Sequence, residues 1–128
     1  RAMAGGRKLY DALAATGRVA TQGIYFDVAS DRIRPESTPT LKEIAGMLQE
    51  HPELKLAIEG HTDATGQAAA NQTLSERRAA AVREALVAQF AIDGARLTSK
   101  GLGQSKPVGP NTTPEGRQQN RRVELVRQ

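Results

Sequence analysis

A chain of 128 residues is long enough for one ordinary domain with its own core, and its 38% hydrophobic content is low but still that of a globular chain. Only four aromatic residues are present (Tyr10, Tyr25, Phe26 and Phe90), so the core must be made of Leu, Ile, Val and Ala. The net charge of +4 invites a nucleic-acid reading, but acids are interleaved with the basic residues and few rings are available to stack on bases.

Zero cysteines exclude disulfides and thiolate metal sites without fixing a compartment. No apolar run approaches the roughly 20 residues needed to span a bilayer. No secretory signal is visible and the chain begins with Arg1, so an excised or processed domain is expected, with any membrane anchor outside it.

Arg1 to Gly6 reads as a linker end, and Lys8 to Ala15 as a short helix stopped by Gly17, so residues 1–16 are set apart from a single domain over 17–128. Arg18 to Phe26 reads as the first strand, with Ile24 and Phe26 on one face, followed by a polar connection to Arg34. Pro35 to Pro39 carries helix-start chemistry, and Leu41, Ile44, Ala45 and Leu48 give the spacing of an amphipathic helix that His51-Pro52 ends. Leu54, Leu56 and Ile58 alternate with Lys55, Ala57 and Glu59, which predicts a strand with one buried face. The helical crossover between these strands implies that they are parallel, or split by a third.

A Gly-punctuated turn then leads into a helix from about Ala70 to Phe90, and Asp93-Gly94 breaks it. Arg96 to Leu102 is a third strand, and Ser105 to Thr113 a loop. Thr113 and Pro114 read as cap and first residue of a short helix through Gln119, and Arg122 to Val126 as the last strand.

The stretch Ile58 to Val82 carries the chemistry. Leu74, Val82 and Leu86 share a helix face at spacings of four or eight, and Arg78 lies between them on that face. An arginine on an apolar stripe either snorkels out along its stem or holds a fixed carboxylate. Asn71 falls on nearly the same face, and Asp63 sits where the preceding strand runs out. One acid, one amide and one guanidinium converging near a turn suit a ligand that carries both an ammonium and a carboxylate.

Four segments, in order, resemble a known family. They are Ile24-Tyr25-Phe26-Asp27 with Ser30 and Ile33; Gly60-His61-Thr62-Asp63 with Gly66; Asn71-x-x-Leu74-Ser75-x-x-Arg78-Ala79; and Asn111-x-Thr113-x-x-Gly116-Arg117-x-x-Asn120-Arg121-Arg122-Val123-Glu124. Together they are similar to the OmpA-like peptidoglycan-binding domain over about Gly17 to Val126. The resemblance implies an α+β fold, a βαβαβ sandwich with helices on one face of a mixed parallel and antiparallel sheet. It further implies non-covalent binding of the cell-wall peptide stem at its meso-diaminopimelate residue. The acid matching Asp63 and the arginine matching Arg78 would clamp that residue, Asp27 would lie beside the pocket, and Arg121 would lie near the ligand carboxylate. Ala68-Ala69-Ala70 departs from relatives that carry larger side chains there.

Each of these residues also has a plainer reading. Asp63 could cap a turn, Asn71 could be the N-cap of its helix, and Thr62 could merely satisfy backbone while lining the site. Asp27 could be a turn residue and Arg121 a solvated strand end, with only one of Arg121 and Arg122 able to reach a given site. The two histidines, His51 and His61, sit on separate elements, so no metal is expected, nor any other cofactor. His61, Asp63 and Ser75 supply triad residue types but no nucleophile elbow, so an enzyme is not expected. The expected role is therefore a monomeric periplasmic module that tethers the outer membrane or another envelope component to peptidoglycan. A nucleic-acid-binding domain and a cell-wall hydrolase are the alternatives.

Overall fold

The structure is a computed structural model that describes residues 4–128. The elements in chain order are α1 (Ala4–Thr16), β1 (Arg18–Thr21), α2 (Thr38–Glu50), β2 (Leu56–His61), α3 (Ala68–Phe90), β3 (Leu97–Gly101), α4 (Pro114–Asn120) and β4 (Arg122–Arg127). The four strands form one sheet in the order β1-β4-β2-β3. β2 and β3 are parallel, and β4 runs antiparallel to both β2 and β1. β1 and β2 are therefore parallel strands separated by β4, which agrees with the crossover reading. This is the expected α+β architecture with a mixed sheet.

The core lies between the sheet and α1, α2 and α3. Leu41, Ile44, Ala45 and Leu48 of α2 are buried, at the spacing that predicted the helix. Leu56 and Ile58 of β2, Val123 and Leu125 of β4 and Leu97 of β3 meet them from the sheet. Leu13 is 0% exposed, so α1 is packed into this core against α2. Of the expected linker end, residues 1–3 lie outside the described residues, whereas Ala4, Gly5 and Gly6 belong to α1.

Two strand readings need correction. β1 stops at Thr21, five residues before Phe26. The chain then turns away from the sheet, and Phe26 makes only an isolated antiparallel bridge with Ile33. Ser37 holds this departing segment: its buried hydroxyl accepts from the Tyr25 amide at 2.7 Å and donates to the Tyr25 carbonyl at 3.1 Å. It therefore does not cap α2.

β2 is buried on both faces rather than one. Its register puts Glu59 opposite Glu124 and His61 opposite Arg122 on the face turned away from the helices. All four of these side chains are buried.

Arg96 fastens the end of α2. Its Nη2 donates to the carbonyls of Leu48 and His51, each at 2.8 Å, and its Nε donates to Leu54 at 3.1 Å. Helix C-termini leave such carbonyls without intrahelical partners. Arg96→Ala is expected to cost about 2 kcal/mol and to lower the melting temperature by roughly 5–10 °C in a calorimetric scan.

Candidate functional site

A cleft of about 930 Å³ opens where the C-terminal end of β2 meets the start of α3 and the loop after β1. Thr62, Asp63, Asn71, Arg78 and Arg121 all line it. The two charged groups with the largest proposed roles therefore face a shared space.

Asp63 leaves β2 two residues past its end and is buried. Its Oδ1 accepts from the Thr65 amide at 2.9 Å and its Oδ2 from Arg121 Nη1 at 2.5 Å. Burial pushes the Asp63 carboxyl up, but the Thr65 amide and the Arg121 guanidinium outweigh it, and the group titrates below its ordinary range. It is a carboxylate at neutral pH.

The turn that carries Asp63 is pinned from two sides. Thr62 Oγ1 donates to the Asp63 carbonyl at 2.8 Å, and the Ala64 amide donates to Asn111 Oδ1 at 3.1 Å. Asn111 is itself held by Asn120, which is fully buried and donates to Asn111 Oδ1 at 2.8 Å. Asn120 Oδ1 accepts from the amides of Val108 and Gly109, and Nδ2 also donates to the Gly109 carbonyl. Every hydrogen-bonding site of this amide is thus engaged, as a buried amide requires.

Arg78 is half-buried on α3. Its Nε donates to the Ser30 carbonyl at 2.8 Å and its Nη2 to the Asp27 carbonyl at 3.2 Å. The guanidinium carbon lies 4.8 Å from the centroid of the Phe26 ring, within cation–π range. These contacts fix the plane of the group and leave its other N–H donors unspent. Burial first, and then the like charge of Arg121, lower its pKa, with Asp31 and Asp63 opposing. Arginine remains protonated nonetheless. Arg77 is exposed and pairs with Asp31 at 3.5 Å, so Arg78 is the one that faces the cleft.

Asn71 is the fourth residue of α3, which begins at Ala68, so it is not the N-cap. Its Nδ2 donates to the Thr65 carbonyl at 3.0 Å, to Gln104 Oε1 at 3.0 Å and to the Asp63 carbonyl at 3.3 Å. It joins the Asp63 turn to the helix that carries Arg78.

The Asp27 carboxylate does not line the cleft. It pairs with Arg32 at 2.8 Å and Arg34 at 3.5 Å, and the residue serves the site through its carbonyl. Arg122 borders the cleft, but its guanidinium is engaged elsewhere: it pairs with Glu124 and donates to the carbonyls of Asn120 and Lys106. Arg121 thus reaches Asp63 and Arg122 does not. The triad types do not assemble either. Ser75 donates to the Gln72 carbonyl and accepts from the Gly103 amide, and His61 bonds neither Ser75 nor Asp63.

Residues 25–121 match the model of the OmpA family. The chain belongs to the OmpA family. It is 43% identical over 101 residues to outer membrane porin F of Pseudomonas aeruginosa, a match covering 79% of this chain and 29% of that protein. The chain thus spans less than a third of porin F. The peptidoglycan-associated lipoprotein from Burkholderia pseudomallei superposes with a TM-score of 0.73 at 32% identity, over 89% of this chain and 92% of that one. The cell wall anchor of the T6SS from Pseudomonas aeruginosa superposes with a TM-score of 0.74 at 28% identity, over 99% of this chain and 98% of that one. Among the described residues four α-helices accompany a four-stranded mixed sheet, and the superposition shows that this is the fold of the peptidoglycan-associated lipoprotein.

Proposed function

We propose that this OmpA-family domain binds peptidoglycan non-covalently through the meso-diaminopimelate residue of the peptide stem. The observation that carries the reading is the single cleft lined by both Asp63 and Arg78. The end of the diaminopimelate side chain is an amino-acid centre, with an ammonium and a carboxylate side by side. Asp63 accepts from the ammonium. Arg78, anchored on two carbonyls and a ring, offers its free donors to the carboxylate as a fork.

Arg121 completes the arrangement. It neutralises Asp63 before binding, and its side chain is 48% exposed. The incoming ammonium takes its place on Asp63, and Arg121 moves to the carboxylate. Asn71 and Thr62 hold the turn, and Asp27 holds Arg78 in place. Binding involves no bond-making chemistry. The domain acts in the periplasm, as a monomer, and ties an envelope protein to the wall. In this reading contact with the outer membrane is made by a region outside this chain; no helix among the described residues is long and apolar enough to cross a membrane.

The likeness to a peptidoglycan-associated lipoprotein and to a cell wall anchor supports this reading. A nucleic-acid reading gains nothing from the arginines: Arg78, Arg83 and Arg96 donate to backbone carbonyls, and Arg122 is buried against Glu124. Co-sedimentation with insoluble diaminopimelate-type peptidoglycan tests the proposal. The wild-type domain is expected in the pellet and Asp63→Ala in the supernatant, with unchanged circular dichroism. Equal pelleting of the two proteins would remove Asp63 from the site.

A further inference from the structure

Two carboxylates stand side by side on the sheet face turned away from the helices. Glu59 of β2 and Glu124 of β4 are register partners, 2% and 6% exposed. Like charges placed directly across strands repel. Arg18 of β1 relieves them, since its Nη1 bridges Glu59 Oε1 and Glu124 Oε1. Lys100 of β3 lies 3.4 Å from Glu59, and Arg122 pairs with the other oxygen of Glu124.

His61 fits this arrangement poorly. Its side chain is 1% exposed, and neither ring nitrogen has a hydrogen-bond partner among the described residues. Its Nε2 points at Glu59 Oε1 across 3.5 Å, which is long for a hydrogen bond. A buried polar group left without a partner is costly and rare. Arg18 therefore satisfies the carboxylates and leaves the imidazole unmatched.

The spacing suits a metal ion. One nitrogen of His61 and one oxygen each of Glu59 and Glu124 lie within 4.8 Å of one another. Tetrahedral zinc with bonds of about 2.0–2.2 Å holds its ligand atoms roughly 3.4 Å apart, close to the His61–Glu59 separation. Two carboxylates and an imidazole are a donor set that zinc accepts, with a fourth position for water. Arg122, bonded to the carbonyls of Asn120 and Lys106 as well, would orient Glu124 from behind.

We infer that Glu59, His61 and Glu124 form a binding site for a divalent transition-metal ion such as zinc, which takes the place of Arg18 between the two carboxylates. Arg18 lies on the edge strand β1 with its side chain 51% exposed, so it can leave without disturbing the core. This departs from the sequence reading, which expected no metal. Two histidines on separate elements give no sign of the site, because Glu124 reaches His61 only through the antiparallel pairing of β4 with β2, 63 positions further along the chain.

Calorimetric titration of zinc chloride into the untagged domain at neutral pH, with a parallel thermal scan, tests the inference. Wild type is expected to bind one zinc ion and to gain melting temperature. His61→Gln and Glu59→Gln should each weaken zinc about tenfold or more. Arg18→Met, which removes the competing cation, should tighten it by about tenfold. Absence of zinc binding in both wild type and Arg18→Met would overturn the inference, as would undiminished binding by His61→Gln. If His61→Gln does not fold, Arg18→Met decides alone: zinc affinity unchanged or reduced in that variant contradicts the exchange.

Discussion

Replacing Arg78 by alanine is expected to weaken binding of a diaminopimelate stem by about 30- to 100-fold, equivalent to about 2–3 kcal/mol, with the domain still folded. A guanidinium that holds a carboxylate through paired bonds in a partly dry cleft contributes on this scale. Its removal also leaves Asp63 and the ligand carboxylate with one positive partner fewer. Arg78→Lys should recover little of the loss. Lysine keeps the charge but cannot donate to the Ser30 and Asp27 carbonyls while presenting a planar fork to the ligand. Isothermal titration of the three proteins measures this. A lysine variant that binds like wild type would show that charge alone matters and that the anchoring on Ser30 and Asp27 does not.

The second large effect lies away from the ligand. Gly60→Ala is expected to destabilise the domain by about 3 kcal/mol and to weaken binding together with stability. A Cβ at Gly60 would lie 2.3 Å from the Ser75 carbonyl oxygen of α3, far inside contact distance. Gly60 pairs with Gly101 of β3, where a Cβ would meet the Glu76 amide and Ser75 Oγ, each at 2.3 Å. The two glycines form a flat spot on which α3 rests against the sheet. The obstacle at Gly60 is backbone of the packed helix α3, so it cannot step aside at little cost. Lifting α3 also moves Arg78 and Asn71, which lie three residues after and four before Ser75. Urea denaturation would show the loss of stability. A variant of wild-type stability would mean that the helix can be shifted freely.

Much of this site was visible in the chain. The four-residue spacing of Leu74, Arg78, Val82 and Leu86 selected Arg78 over Arg77, and in the structure Arg78 lines the cleft while Arg77 pairs with Asp31 outside it. Thr113 and Pro114 announced α4, and Thr113 Oγ1 accepts from the Gly116 amide at 3.0 Å. These features are local, and local spacing and caps are what a sequence displays.

The missed features depend on contacts between distant segments. The Asp63–Arg121 pair joins residues 58 positions apart. The carbonyls of Ser30 and Asp27 anchor Arg78 from 48 and 51 positions away, and backbone acceptors leave no trace in residue identity. Alternation in β2 predicted a solvated face, because Lys55 and Glu59 read as polar and exposed. Lys55 precedes the strand and is exposed, whereas Glu59 is covered once β4 and Arg18 pack beside it. The expected reach of β1 to Phe26 rested on Ile24 and Phe26, which are indeed partly buried against the core, but from a loop that has left the sheet.

The most direct test is an NMR titration of the isotope-labelled domain with two soluble stem peptides that differ only in carrying meso-diaminopimelate or lysine. The account predicts that the diaminopimelate peptide shifts the amides of residues 62–66 and the guanidinium signals of Arg78 and Arg121, and binds about thirtyfold more tightly than the lysine peptide, which lacks the second carboxylate. Equal affinity for the two peptides, or shifts confined to surfaces away from Asp63 and Arg78, would contradict it.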